Sequence, residues 1–183
     1  YIVTTLGMVG ILTILFVETG LLIGLVFPGD SLLFIAGVAA SATAMETFGI
    51  QLPISILLLA APLFAILGSQ LGHLLGATYG RKLFSRPDSR IFSQAKVQRT
   101  EKWLSKYGLG KALILARFIP VVRTLINPLC GIVGIPATKF AVWNLISGII
   151  WTDGIILAGF TLGEKLSGSV DKYLLPIVGV III

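Results

Sequence analysis

The chain has 183 residues, 56% hydrophobic and only 12% charged, with a net charge of +6. Soluble domains carry about 25% charged residues, so this composition, with a mean hydropathy of +0.99, excludes an ordinary soluble domain and indicates one integral membrane domain. A single cysteine (Cys130) excludes an internal disulfide, and with a single histidine (His73) it leaves no His/Cys zinc site, and no other metal or cofactor, to expect.

In chain order, residues 1–45 are apolar but interrupted. Glu18 and Asp30 are their only charges, and "FPGD" (27–30) is a turn signal built on Pro28 and Gly29. The polar break "METFGIQLP" (45–53) leads into a span at 54–80. The stretch 47–80 holds no charged residue and exceeds the roughly 20 residues that a crossing helix needs. Its second half spaces Gly68, Gly72, Gly76 and Gly80 four apart, a ridge that lets another helix approach closely, from this chain or from a second copy in a homo-oligomer.

Segment 81–111 is strongly basic, with nine Lys/Arg against Asp88 and Glu101, whereas the rest of the chain sums to −1. A loop this basic is expected on the cytoplasmic side. Within it, 93–108 reads as a helix with Ser93 as N-cap and Gly108 as stop. Lys96, Arg99, Lys102 and Lys106 stand beside Trp103 and Tyr107, the pattern of an amphipathic helix lying on an anionic membrane surface, with a solvated linker helix as the alternative. Nucleic acid is the rival partner for a basic cluster, and the apolar spans on both sides argue against it.

The next stretch, "ARFIPVVRTLINPLCG" (116–131), sets Arg117 and Arg123 among aliphatics, with Pro120 between them and Asn127-Pro128 beyond. An arginine at the bilayer centre costs about 2.5–3.5 kcal/mol on insertion scales. Proline inside a helix costs about 3 kcal/mol. On one straight helix Arg117 and Arg123 point about 120° apart, as do Glu18 and Asp30. Breaks at Pro28-Gly29, at Pro120 and near Asn127-Pro128 would let these charges converge. A second span is expected at 140–163, carrying Asp153, Trp143 and Trp151, with the start of a further one at 173–183. Tyr1 in place of Met, and an end inside "LLPIVGVIII", lead us to expect that the natural protein extends further at both ends; no cleavable signal peptide is recognisable.

"GSQLGHLLGATYGRKL" (68–83) aligns with "WTDGIILAGFTLGEKL" (151–166) at an offset of 83, and a proline-broken, charged segment precedes each span. With a cytoplasmic 81–111, one broken segment is entered from outside and the other from inside. The expected fold is therefore a single all-α integral membrane domain. It is an inverted repeat of two re-entrant helical hairpins plus transmembrane helices, with an interfacial amphipathic helix. Repeat one covers about 1–80, repeat two about 112–165.

Buried arginines recognise phosphate through bidentate contacts, and buried carboxylates can take up and release protons. Intramembrane charges are functional candidates by default. Arg117 and Arg123 are thus the phosphate-binding candidates and Glu18 and Asp30 the proton-coupling ones. The alternative is two acid–arginine pairs that simply lock the hairpins. Asp153 and His73 are secondary candidates; His73, within the glycine ridge, reads more readily as packed or hydrogen-bonded. Trp143 and Trp151 read as packing or anchoring residues. With no clustered Ser/His/Asp set and no G-x-S-x-G elbow, an intramembrane enzyme is not expected.

"E-T-G-x-x-I-G-x-x-x-P-G-D-x-x-L-x-x-A-G" (18–37) and "A-R-F-I-P-x-V-R-T-x-x-N-P-x-x-G" (116–131) resemble the two signature hairpins of the DedA membrane protein family, also called the SNARE-associated or VTT-domain family. The resemblance implies an inverted-repeat protein that moves lipids across bilayers, in bacteria returning undecaprenyl phosphate across the cytoplasmic membrane with dependence on the proton-motive force. By motif, Glu18 and Asp30 match the family's essential acids and Arg117 and Arg123 its essential arginines. Cys130 departs from the small residue expected before Gly131. The leading expectation is a flippase with a lipid phosphate, protons and the membrane as partners. A proton-coupled exporter of small cations or drugs, a phospholipid scramblase and a non-transporting scaffold are the alternatives.

Overall fold

The computed structural model describes residues 2–21, 29–84 and 94–166, and among these every regular element is an α-helix. They are α1 (Ile2–Gly20), α2 (Gly29–Ala39), α3 (Ala42–Phe48), α4 (Ile54–Phe84), α5 (Gln94–Arg117), α6 (Pro120–Ile132) and α7 (Ala137–Leu166). Pro28, the link 85–93 with Ser93, and the expected span start at 173–183 lie outside the described residues.

Among the described residues two helices are long and apolar enough to cross a membrane, Ile54–Gly80 in α4 and Ala137–Lys165 in α7. Their 27 and 29 residues reach about 40 Å at 1.5 Å per residue, more than a hydrocarbon core of about 30 Å. Each turns aliphatics outward: Leu59 (77% exposed), Leu63 and Leu67 from α4, Ile146, Ile149 and Ile150 from α7. α2 and α3, bent by 81°, would make a third span if counted as one. That bend falls at Ala40–Ser41, where Ser41 leaves helical geometry as the residue before α3 and Glu164 of α7 accepts a bond from the Ala42 amide at 2.6 Å.

The chain assembles crosswise. α2 lies against α7 and α6 against α4, so each half gives its short helix to the long helix of the other. Glycine makes both crossings. A Cβ on Gly76 would strike the Pro128 backbone, and one on Gly131 the His73 carbonyl; at the other crossing Gly159 faces the Phe34 carbonyl and Gly37 that of Ile156. In lipid, where apolar burial does not drive helices together, such close approach supplies the association. Around the crossings, Leu15, Leu33, Leu57, Ala61, Trp151 and Ile156 form one core, and Leu113, Ala116, Ile126, Cys130 and Phe140 a second.

Two local expectations meet different outcomes. Gly108, at φ 72°, interrupts α5 where a stop was expected, and the chain resumes as a second helical piece to Arg117. The chain also breaks at Phe118–Ile119, with Ile119 extended and Pro120 opening α6, as the restriction on the residue before proline requires. The further break near Asn127-Pro128 is corrected: α6 runs through both residues to Ile132. Two contacts hold the helix together there. The Pro128 backbone seats on Gly76, and Asn127 Nδ2 donates to the Thr19 carbonyl at 3.1 Å. Neighbouring helices commonly rescue proline in this way in membranes.

Candidate functional site

Four of the expected site residues stand at helix ends facing the centre of the bundle. Glu18 lies in the last turn of α1, Asp30 in the first turn of α2, Arg117 at the end of α5 and Arg123 in the first turn of α6. A helix end favours charge of one sign, negative at the N-terminus and positive at the C-terminus. Asp30 and Arg117 obey this rule, whereas Glu18 and Arg123 each sit at the wrong end. The two misplaced charges pair with each other: Arg123 Nη2 donates to Glu18 Oε1 at 2.9 Å, with both side chains buried. Arg123 Nη1 donates to Asp30 Oδ1 at 2.5 Å. One guanidinium is thereby shared between two carboxylates.

Gly29 makes this possible. A Cβ there would land on the Glu18 carboxylate, so the absence of a side chain lets Glu18 lie against the first turn of α2. Trp151 of α7 closes the cluster. Its Nε1 donates to Asp30 Oδ1 at 3.0 Å, and its ring lies 4.8 Å from the Arg123 Cζ and 5.7 Å from that of Arg117. Glu18 Oε2 and Arg123 Nε, both buried, have no hydrogen-bond partner among the described residues.

Arg117 does not join the acids. At 5% exposure, it is held by neutral groups: Nε donates to Ser147 Oγ at 3.2 Å, Nη2 to Ser69 Oγ at 3.2 Å, and Nη2 also to Asn144 Oδ1. The break at Phe118–Ile119 turns it toward α4 and α7, away from α1 and α2. The expectation that both arginines face the acids therefore holds for Arg123 only.

Among the hairpin breaks, Gly29 and Pro120 border the cluster in the chain, whereas Asn127 and Pro128 serve helix packing. The secondary candidates lie apart from it. His73 is buried, with Nε2 2.9 Å from the Ile135 carbonyl and its ring stacked on Phe140 at 4.4 Å. Asp153, half-buried, is two residues along α7 from Trp151, about 200° around the helix. Sequence reasoning missed Ser69, Asn144 and Ser147, and gave Trp151 a packing or anchoring role. The available signal was the spacing Asn144, Ser147, Trp151, which places three polar-capable side chains on one face of an otherwise apolar span.

Apolar helices of spanning length around buried Glu18, Arg117 and Arg123 define an all-α integral membrane protein with a charged interior. The VTT domain profile matches residues 27–161. Over 170 residues the chain is 37% identical to Protein DedA of Escherichia coli K12, covering 93% of this chain and 74% of that one. It is 37% identical over 156 residues to uncharacterized membrane protein Rv0364 of Mycobacterium tuberculosis, and 34% over 154 to inner membrane protein YqjA of E. coli K12, covering 65% of each. The chain belongs to the DedA family of VTT-domain membrane proteins. No solved structure matches it.

Proposed function

We propose that this protein is a membrane transporter, a flippase that moves a lipid phosphate across the bilayer, with undecaprenyl phosphate in a bacterial cytoplasmic membrane as the expected substrate. The observation that carries the reading is Arg117: a guanidinium buried in an apolar helical domain with no carboxylate paired to it among the described residues. A buried cation needs a charge partner, and the planar guanidinium fork matches phosphate. The lipid tail stays in the surrounding hydrocarbon.

Arg123 supplies the proton linkage. Its fork is committed to Glu18 and Asp30, so a phosphate reaches it only when a carboxylate lets go. Proton uptake neutralises that carboxylate and weakens its hold. Proton and phosphate thus occupy the site together, and the proton-motive force drives the cycle. In this reading α1–α2 and α5–α6 are re-entrant hairpins, the halves are inserted with opposite orientation, and 81–111 is cytoplasmic by its charge. No covalent step is part of the cycle. A cation exporter would need the carboxylates free to bind its cargo, whereas Arg123 sits on both.

The test is flux of a fluorescent polyprenyl phosphate in proteoliposomes under an imposed proton gradient. Wild-type flux is expected well above that of Arg117→Ala and Arg123→Ala, and to fall when the gradient is collapsed. Equal flux in all three proteins would sink the proposal. Flux that ignores the gradient would make the protein a scramblase.

A further inference from the structure

We infer that Asn144, with Ser69 and Ser147, keeps Arg117 as the standing half of the phosphate site: a cation fixed by neutral acceptors so that its charge partner must come from the ligand. This assignment rests on the lipid-phosphate reading above and concerns which residues set its selectivity.

The orientation of each acceptor is determined. A guanidinium has donors only, so Asn144 must present Oδ1 to Arg117, and its Nδ2 donates the other way, to the Ile66 carbonyl at 2.9 Å. The Ser69 hydroxyl hydrogen goes to the Ala65 carbonyl at 2.8 Å and that of Ser147 to the Asn144 carbonyl at 3.3 Å. Both hydroxyls therefore turn lone pairs toward Arg117. Three oriented acceptors from α4 and α7 hold Nε and Nη2, and Nη1 takes no acceptor among the described residues. Arg123 offers the contrast, since both of its terminal nitrogens already meet a carboxylate. Neutral acceptors position a cation without neutralising it. An aspartate in place of Asn144 would differ by one atom type and would fill the site from within.

The role assigned to Asn144 and Ser147 is positioning, and the test adds a carboxylate to the cradle. Purified wild type, Asn144→Asp and Ser147→Asp are titrated with dodecyl phosphate in neutral maltoside micelles, with dodecyltrimethylammonium as the cationic counterpart and inorganic phosphate as competitor. Wild type is expected to bind dodecyl phosphate saturably, with displacement by inorganic phosphate. Both variants should bind at least about tenfold more weakly with wild-type helix content; melting temperature does not decide the matter, because Asn144→Asp gains an ion pair with Arg117 and loses the Nδ2 bond to Ile66. Folded variants that bind as wild type does overturn the inference and leave the lipid-phosphate reading standing. Wild type that binds the ammonium but not the phosphate overturns both. Dodecyl phosphate that inorganic phosphate cannot displace is held by its tail, and this would overturn the Arg117 assignment alone.

Discussion

Changing Arg123 and Glu18 to Gln, singly and together, separates a shared-cation cluster from two independent contacts. Arg123 bridges Glu18 at 2.9 Å and Asp30 at 2.5 Å. Arg123→Gln leaves two neighbouring carboxylates without their cation. Removing one partner of a buried ion pair costs about 3–5 kcal/mol, and the 41% exposure of the Asp30 side chain places this case at the low end. Glu18→Gln is milder. Arg123 keeps Asp30, and the new amide oxygen can still accept from Nη2, so the loss is that of a charged against a neutral acceptor, about 1–2 kcal/mol. The double variant removes the cation and the buried acid together, leaving a partly exposed Asp30 bonded to Trp151. Its cost should fall below the sum of the singles by about 1–3 kcal/mol. Denaturant titration of the detergent-solubilised protein, followed by circular dichroism, measures all three. Additivity within about 0.5 kcal/mol would refute the cluster. A Glu18→Gln cost equal to that of Arg123→Gln would refute the sharing.

Gly76→Val and Gly159→Val should each destabilise by about 1–3 kcal/mol or more, because the new side chain meets backbone at a helix crossing, whereas Gly154→Ala, with no atom within 4 Å of its Cβ, should be neutral or slightly stabilising; thermal melting compares the three. Gly29→Ala should lower proteoliposome flux with little loss of helix content, since its methyl displaces the Glu18 carboxylate. Dodecyl phosphate binding should strengthen as pH is lowered, because a protonated Glu18 releases Arg123; Glu18→Gln should flatten that dependence to what titration of the phosphate alone gives, and an unchanged slope would remove Glu18 from the proton pathway.

Features written in local spacing were legible in the sequence. The glycine ridge announces close approach whichever helix arrives, so Gly76 could be assigned its role without knowing that Pro128 would meet it. The apolar runs at 54–80 and 140–163 become α4 and α7 with only their ends extended. The approach of Glu18 and Asp30 to Arg123 was legible too, because isolated charges in apolar segments must find each other. Partner choice was not legible. Ser69 lies 48 residues before Arg117 in the chain, and a serine or asparagine within a span ordinarily bonds its own helix. Nor was the bend at Ala40–Ser41, which has neither glycine nor proline; what shapes it, Glu164 at the Ala42 amide, comes from the far end of the chain. At Pro128 local chemistry spoke for a break, and packing against α4 overrode it.

The crosswise assembly bears directly on how a charged interior can be coupled to movement. Every strong contact in the site joins the two halves or reaches across to the long helices. Arg123 comes from the second half and both its acids from the first; Arg117 comes from the second half and is held partly by Ser69 of the first; Trp151 of α7 reaches Asp30 of α2. A displacement of one half against the other must therefore part Arg123 from its carboxylates and loosen the Arg117 cradle in the same motion. A buried Glu18 left without Arg123 is costly as an anion and inexpensive as an acid. On the proposed lipid-phosphate reading, the moving state is the one in which protons are bound and a phosphate replaces the carboxylates at the arginines. On that reading charge balance inside the domain, rather than the shape of a cavity, sets the condition for movement.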